Sequence, residues 1–122
     1  MVFSTKDNVT RKRVAVKKMK HVRSRDQQMN YSEIYYLHKC KHPNVVSFIR
    51  AYVIPPLQEM WVVMEFLEGG TLTEAARAHP FKESQVAFAA RELLKAIEFI
   101  HKNGVVHRDI KSANVKIFPL IF

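Results

Sequence analysis

The 122-residue sequence holds a single cysteine, Cys40, together with three glycines and one tryptophan. One thiol excludes an internal disulfide and fits a reducing compartment, so a cytoplasmic location is expected. So few glycines exclude a collagen-like chain, and 48% hydrophobic with 25% charged residues excludes a disordered one. No apolar stretch approaches the roughly 18 residues of a membrane span; even the apolar tail Ile117–Phe122 falls far short. The N-terminal stretch is polar and basic without an apolar h-region, so no secretory signal is expected there. Acid is scarce as well, with eleven Asp and Glu against twenty Lys and Arg.

That imbalance is local. Residues 1–25 hold nine Lys and Arg and one acid, Asp7, whereas the other residues hold eleven cations and ten acids. A basic cluster of this kind can meet nucleic acid, anionic lipid or phosphate, or be the solvated side of a strand. Residues 6–25 lack interleaved aromatic rings for base stacking, and no nucleic-acid partner is expected. The length suits one domain.

Val14-Ala15-Val16 reads as a strand, paired with Val2-Phe3 through a turn at Asp7-Asn8. Residues 25–40 read as a helix, with Met29, Glu33, Ile34 and Leu37 near one face, and Pro43 stops it. Residues 45–54 and 60–66 read as two strands forming a hairpin around Pro55-Pro56. Thr71 and Glu74 have capping-box spacing and open a short helix. Residues 84–102 form the clearest helix, with Val86, Ala90, Leu93, Ile97 and Ile100 in register and Gly104 as its stop. Val105-Val106 reads as a very short strand. The pattern is α+β, strand-rich first and helical afterwards.

The chemistry concentrates in His107-Arg108-Asp109-Ile110-Lys111-Ser112-Ala113-Asn114, which fits H-R-D-x-K-x-x-N. Transfer of a phosphoryl group to a hydroxyl needs a carboxylate to orient the nucleophile, and Asp109 suits that role. It needs a cation near the moving phosphate, as Lys111 can supply, and an oxygen ligand for Mg²⁺, as Asn114 can offer. Arg108 can partner a phosphate on a regulatory segment. Upstream, Val14-Ala15-Val16-Lys17 fits V-A-[IV]-K, and Glu33 follows Lys17 on the inward side of the expected helix.

These motifs extend into a broader likeness. Trp61-Val62-Val63-Met64-Glu65-Phe66-Leu67-Glu68-Gly69-Gly70-Thr71-Leu72-Thr73 and His42-Pro43-Asn44-Val45-Val46 resemble segments of the PAK-like, sterile-20 group of serine/threonine protein kinases. The resemblance implies a kinase-like fold in part. Residues 1–67 would be an antiparallel-sheet N-lobe with helix αC, lacking the Gly-rich loop. Residues 68–122 would hold the rest of the hinge, αD, αE and the catalytic loop, lacking D-F-G and the activation segment.

The resemblance also implies ATP and Mg²⁺ as cofactors. Lys17 would hold the α- and β-phosphates and pair with Glu33; Val2 and Ala15 would roof the base; Met64 would be the gatekeeper. Glu65 and Leu67 would offer hinge backbone groups to adenine, and Asn114 would bind the metal. Implied partners are proteins bearing Ser or Thr, and small-GTPase-linked regulators acting through parts outside this chain.

With no Gly-rich loop and no D-F-G in these residues, the chain alone is expected to be inactive. Two other readings use the same residues: a catalytically dead kinase-like product serving as an interaction or decoy module, and a basic phosphate-binding module. His38 and His42 share helical spacing with Cys40 between them, but Pro43 ends the helix and Cys40 falls on another face; no metal site is expected there. Met19, Met29, Met60 and Met64 are expected to pack in the core. Within such a family the face of Val86, Leu93, Ile97 and Ile100 packs on helices not among these residues. A marginally stable chain is therefore expected, unless the tail Ile117–Phe122 folds back over that face.

Overall fold

The computed structural model describes residues 1–117. The chain clusters into two compact units, Met1–Phe66 and Leu67–Phe122.

The first unit is a four-stranded antiparallel sheet with one helix. Its strands are β1 (Val2–Lys6), β2 (Arg13–Lys20), β3 (Phe48–Ile54) and β4 (Glu59–Glu65), in the spatial order β1-β2-β4-β3. Helix α1 (Ser24–Lys39) joins β2 to β3. Side chains alternate across a strand, so residues paired across the ladder share a face. On one face Val14, Val16 and Val63 are buried, with Phe3 and Trp61 packed against them. Trp61 and Phe3 meet edge to face at 6.2 Å, and the Lys18 ammonium lies 4.1 Å from the Trp61 centroid. On the other face Met60 and Val62 are the most deeply buried side chains of the unit. Burying a valine or methionine contributes roughly 1.5–3 kcal/mol, so these few residues supply much of what holds the sheet together.

The β1–β2 turn is built on Asp7. Its Oδ1 accepts the N–H groups of Val9 at 2.8 Å and Thr10 at 2.9 Å. The hairpin closes as Asp7 N donates to Lys12 O and Arg11 N donates to Asp7 O, with Arg11 in the left-handed region at φ 59°. Asp7 is buried and forms an ion pair with Arg50 of β3.

Two expectations for this unit change. The strand expected from residue 45 begins at Phe48, because the N–H groups of Asn44 and Val45 turn back onto His42. Met29 is exposed rather than packed inward, so it leaves the expected methionine core. Asn30 takes the buried position of α1. Its Nδ2 donates to Lys20 O at 2.7 Å and lies 3.1 Å from His21 Nδ1. The other ring nitrogen of His21, Nε2, lies 3.4 Å from the Tyr31 hydroxyl. A buried amide satisfied on both sides fixes the start of α1 against the end of β2 more specifically than an apolar contact could.

The second unit holds α2 (Leu72–Ala78) and α3 (Glu83–Lys102). Thr71 and Glu74 form the capping box read from the sequence: Thr71 Oγ1 accepts Glu74 N at 3.1 Å and Glu74 Oε2 accepts Thr71 N at 2.6 Å. Helix α3 ends at Asn103, and Gly104 takes φ 73°. Gly104 N donates to His101 O and Val105 N to Ile100 O, both at 2.9 Å, which is a Schellman motif. This corrects the expected strand at Val105-Val106: the Val105 N–H is spent on closing the helix, and no strand forms there. Along α3, Ala96 and Ile100 are buried, whereas Val86, Phe88 and Leu94 are exposed. The fold-back expected of the tail falls on residues 118–122, outside the described residues.

Candidate active site

The first unit gathers one set of the expected residues. The register sets Val2 opposite Lys17 and Ala15 opposite Met64. Val2, Ala15, Lys17 and Met64 therefore share one face of the sheet, because positions two apart on β2 and directly paired positions point the same way. Helix α1 brings Glu33 to this group. Lys17 Nζ donates to Glu33 Oε1 at 2.5 Å, both side chains being about a third exposed, 36% and 37%. A carboxylate at this distance fixes the direction of a flexible ammonium, which can then meet a phosphate oxygen at a set position. Glu65 closes β4, its N–H donating to Ser47 O at 3.0 Å and its carboxylate accepting Ser47 N at 2.6 Å. Leu67 opens the second unit.

The second unit gathers another set. After the Schellman motif the loop turns at Arg108, in the left-handed region at φ 66°. A side chain other than glycine there is uncommon and costs about 1–2 kcal/mol, so the surrounding loop holds it in place. Asp109 follows, its N–H donating to His107 Nδ1 at 3.2 Å. The Asp109 carboxylate is exposed and accepts two donors: Lys111 Nζ at 2.9 Å and Asn114 Nδ2 at 2.8 Å. Asn114 Nδ2 also donates to the Asp109 carbonyl at 2.9 Å. The hydrogen bond from Lys111, then that from Asn114, holds the Asp109 carboxyl below the usual aspartate value. Asp109 is thus an ionised acceptor, held by the Lys111 ammonium and the Asn114 amide nitrogen. Arg108 shares the loop but makes no ion pair among the described residues.

The loop is anchored to the start of α2. Ser112 and Thr73 hydroxyls meet at 2.7 Å, and Thr73 N donates to Ser112 O at 3.4 Å. Leu72 N donates to Val115 O at 2.8 Å, Ile117 N to Gly70 O at 2.9 Å, and Thr71 bridges Lys116. This pairing explains the Gly69-Gly70 pair. A Cβ on Gly69 would run into the Ile117 carbonyl, and Gly70 takes φ 70°. The Thr73–Ser112 contact and the Asn30–His21 contact were not legible in the sequence. Each joins polar residues whose spacing follows no helix or strand period.

Comparison with known proteins bears on both sets. The family model described as "Protein kinase domain" matches residues 1–118. The Dictyostelium discoideum protein named "Probable serine/threonine-protein kinase mkcB" is 46% identical over 114 residues, covering 93% of this chain and 16% of its own length. Mouse "Serine/threonine-protein kinase PAK 1" is 39% identical over 114 residues, 93% of this chain and 21% of its own length. "Serine/threonine-protein kinase STE20" of Saccharomyces cerevisiae is 38% identical over 114 residues, 93% and 12%. The chain therefore spans about a fifth or less of the length of these curated relatives. Among the described residues no helix is long and apolar enough to cross a membrane.

Proposed function

The chain belongs to the protein kinase family, in its PAK-like, sterile-20 branch, and on that premise we propose that it supplies the phosphate-holding lysine and the catalytic loop of a serine/threonine kinase. The reaction is transfer of the γ-phosphoryl group of ATP to a Ser or Thr hydroxyl of a protein. The observation that carries this reading is the Asp109 carboxylate held by Lys111 and Asn114 in one short loop.

Each residue then has a role. Asp109 orients the acceptor hydroxyl and takes its proton as the new O–P bond forms. Its lowered pKa makes it a weak base, which suits a loose transition state in which the proton moves late. Lys111, now on Asp109, is within reach of a phosphate that arrives beside that carboxylate. Lys17, directed by Glu33, holds the α- and β-phosphates. Val2, Ala15 and Met64 form the apolar side against the base, and the backbone groups of Glu65 and Leu67 meet its edge. Arg108 is the site for a regulatory phosphate.

The donor set fits Mg²⁺ sparingly. Asn114 offers one neutral oxygen, in keeping with an ion that keeps most of its ligands as phosphates and waters. When bound, the ion neutralises charge on the phosphates. Residues 1–67 act as N-lobe and 68–122 as the start of the C-lobe. The 122 residues contain neither G-x-G-x-x-G nor D-F-G, and this stretch alone is inactive in our reading. Protein Ser/Thr substrates, small-GTPase-linked regulators and a cytoplasmic setting belong to the whole protein in the same reading.

The test is transfer of labelled phosphate from MgATP to a peptide by a polypeptide that carries this stretch within a complete kinase domain. Label on Ser or Thr, lost with Asp109→Ala, supports the assignment. Label on Tyr, or full activity of Asp109→Ala, contradicts it.

A further inference from the structure

The basic character of residues 1–25 has no part in the chemistry above, apart from Lys17. Its distribution in space is more informative than its sum. Of ten charged side chains in that segment, the one acid is the one turned inward. The Asp7 side chain is 3% exposed, is neutralised by Arg50, and spends Oδ1 on the N–H groups of Val9 and Thr10. Lys6, Arg11, Lys12 and Arg13 around it are all exposed. The exposed charged side chains of the hairpin tip are therefore all cationic.

Two details argue against a merely solvated strand end. Lys6 and Arg13 are direct cross-strand partners, the last pair of the β1–β2 register. Like charges in that position repel, and nothing in the fold offsets Lys6, which has no anionic partner among the described residues. At the crest of the turn stands Val9, 84% exposed, its backbone held there by the hydrogen bond to Asp7. An exposed apolar side chain with exposed Lys6, Arg11 and Lys12 on either side of it in sequence fits a surface with anionic heads and an apolar layer beneath. It does not fit single-stranded nucleic acid, which needs a ring for stacking, and the tip residues 7–12 contain none.

We propose that the β1–β2 tip is a docking site for an anionic lipid surface, with Lys6, Arg11 and Lys12 on the headgroups and Val9 entering the interface, while Arg13 stays over the Phe66 ring, 4.3 Å from its centroid. Cations at such a surface act within about a Debye length, so contact depends on salt. The Val2–Lys17 pair lies at the other end of the same two strands, four residues from Lys6. At about 3.4 Å per residue that is roughly 14 Å, which leaves the phosphate-holding end clear of the bilayer.

The experiment is flotation of the 122-residue chain with phosphatidylcholine vesicles, with and without phosphatidylserine; flotation separates bound chain from aggregate. The expected result is binding only with phosphatidylserine, and loss of that binding at high salt. Lys6→Gln/Arg11→Gln/Lys12→Gln is expected to weaken it on the order of a hundredfold, and Val9→Asp several-fold. Among the described residues none of the three cations has a side-chain partner, so circular dichroism should match the parent. Should the triple variant misfold, each single variant, expected about fivefold weaker, gives the same answer. Equal binding to neutral vesicles, binding unchanged in these variants, or tighter binding of a single-stranded oligonucleotide at the same salt would overturn the proposal.

Discussion

Lys17 of β2 and Glu33 of α1 meet at 2.5 Å across sixteen residues of sequence, with about a third of each side chain exposed. Partial exposure sets what such a pair can do. Solvent screening leaves it a small stabilising effect, below about 1 kcal/mol, so its value lies in direction rather than in folding energy. Glu33→Gln should therefore shift the thermal midpoint little, while weakening ATP-phosphate binding in a complete domain at least tenfold. A large loss of stability with nucleotide affinity unchanged would reverse that reading.

A second expectation concerns Asp109. Its pKa lies below the ordinary aspartate value because Lys111, then Asn114, donates to the carboxylate. A depressed value means that the native contact favours the ionised form. Its contribution is present above the ordinary aspartate pKa and is lost as pH falls through the lowered one. Carboxyl-carbon NMR titration should place Asp109 below ordinary aspartates. Lys111→Met should move it upward more than Asn114→Ala does, since the Lys111 hydrogen bond is the larger cause. Equal titration in all three proteins would remove the basis for treating Lys111 as its partner.

The loop is expected to fail from a distance. Gly69→Ala places a methyl group against the Ile117 carbonyl, which must move for the Gly70–Leu72 and Val115–Ile117 backbones to stay paired. The cost should be about 1–3 kcal/mol, as for other overpacked sites. Amide exchange at Leu72 and Ile117 should quicken, with little change in β1–β4. Thr71→Ala, which removes the cap of α2, should cost about 1 kcal/mol in the same unit. Unchanged exchange at Leu72 in Gly69→Ala would show that the glycine is not needed for the approach.

Much of this arrangement was legible in the sequence where periodicity and cap chemistry act locally. The β1–β2 pairing, the Thr71–Glu74 box and the 20-residue α3 follow from neighbours a few residues apart. The Lys17–Glu33 contact was anticipated only through family resemblance, since sixteen residues separate the partners and the intervening turn has no fixed period. Met29 and Asn30 show where hydrophobicity misleads. The amide satisfies a backbone carbonyl that β2 leaves open, so burial goes to the polar residue and the methionine faces solvent. Val105 shows the same for hydrogen bonds: a β-branched residue after a helix reads as a strand until its N–H is claimed by the helix end.

Helix α3 carries a further expectation. Val86, Phe88 and Leu94 are exposed along it, Leu94 at 63%. Exposed apolar side chains in one helix favour association. The isolated chain should sediment as a mixture with a broad thermal transition, and Leu94→Glu should raise the monomer fraction without lowering the midpoint. A monodisperse parent with a sharp transition above about 45 °C, the range of ordinary mesophile domains, would refute this.

The central claim is that Asp109 serves the acceptor hydroxyl while Lys17 serves the nucleotide phosphates. The most direct measurement is a paired one in a complete domain carrying this stretch: kcat for phosphate transfer to a Ser/Thr peptide, and Kd for MgATP. Asp109→Ala should lower kcat by roughly a hundredfold or more and leave Kd within about twofold, because general-base groups act on the chemical step. Lys17→Met should lower kcat and also raise Kd. Unchanged kcat in Asp109→Ala, or a loss that appears only in its Kd, would contradict the assignment.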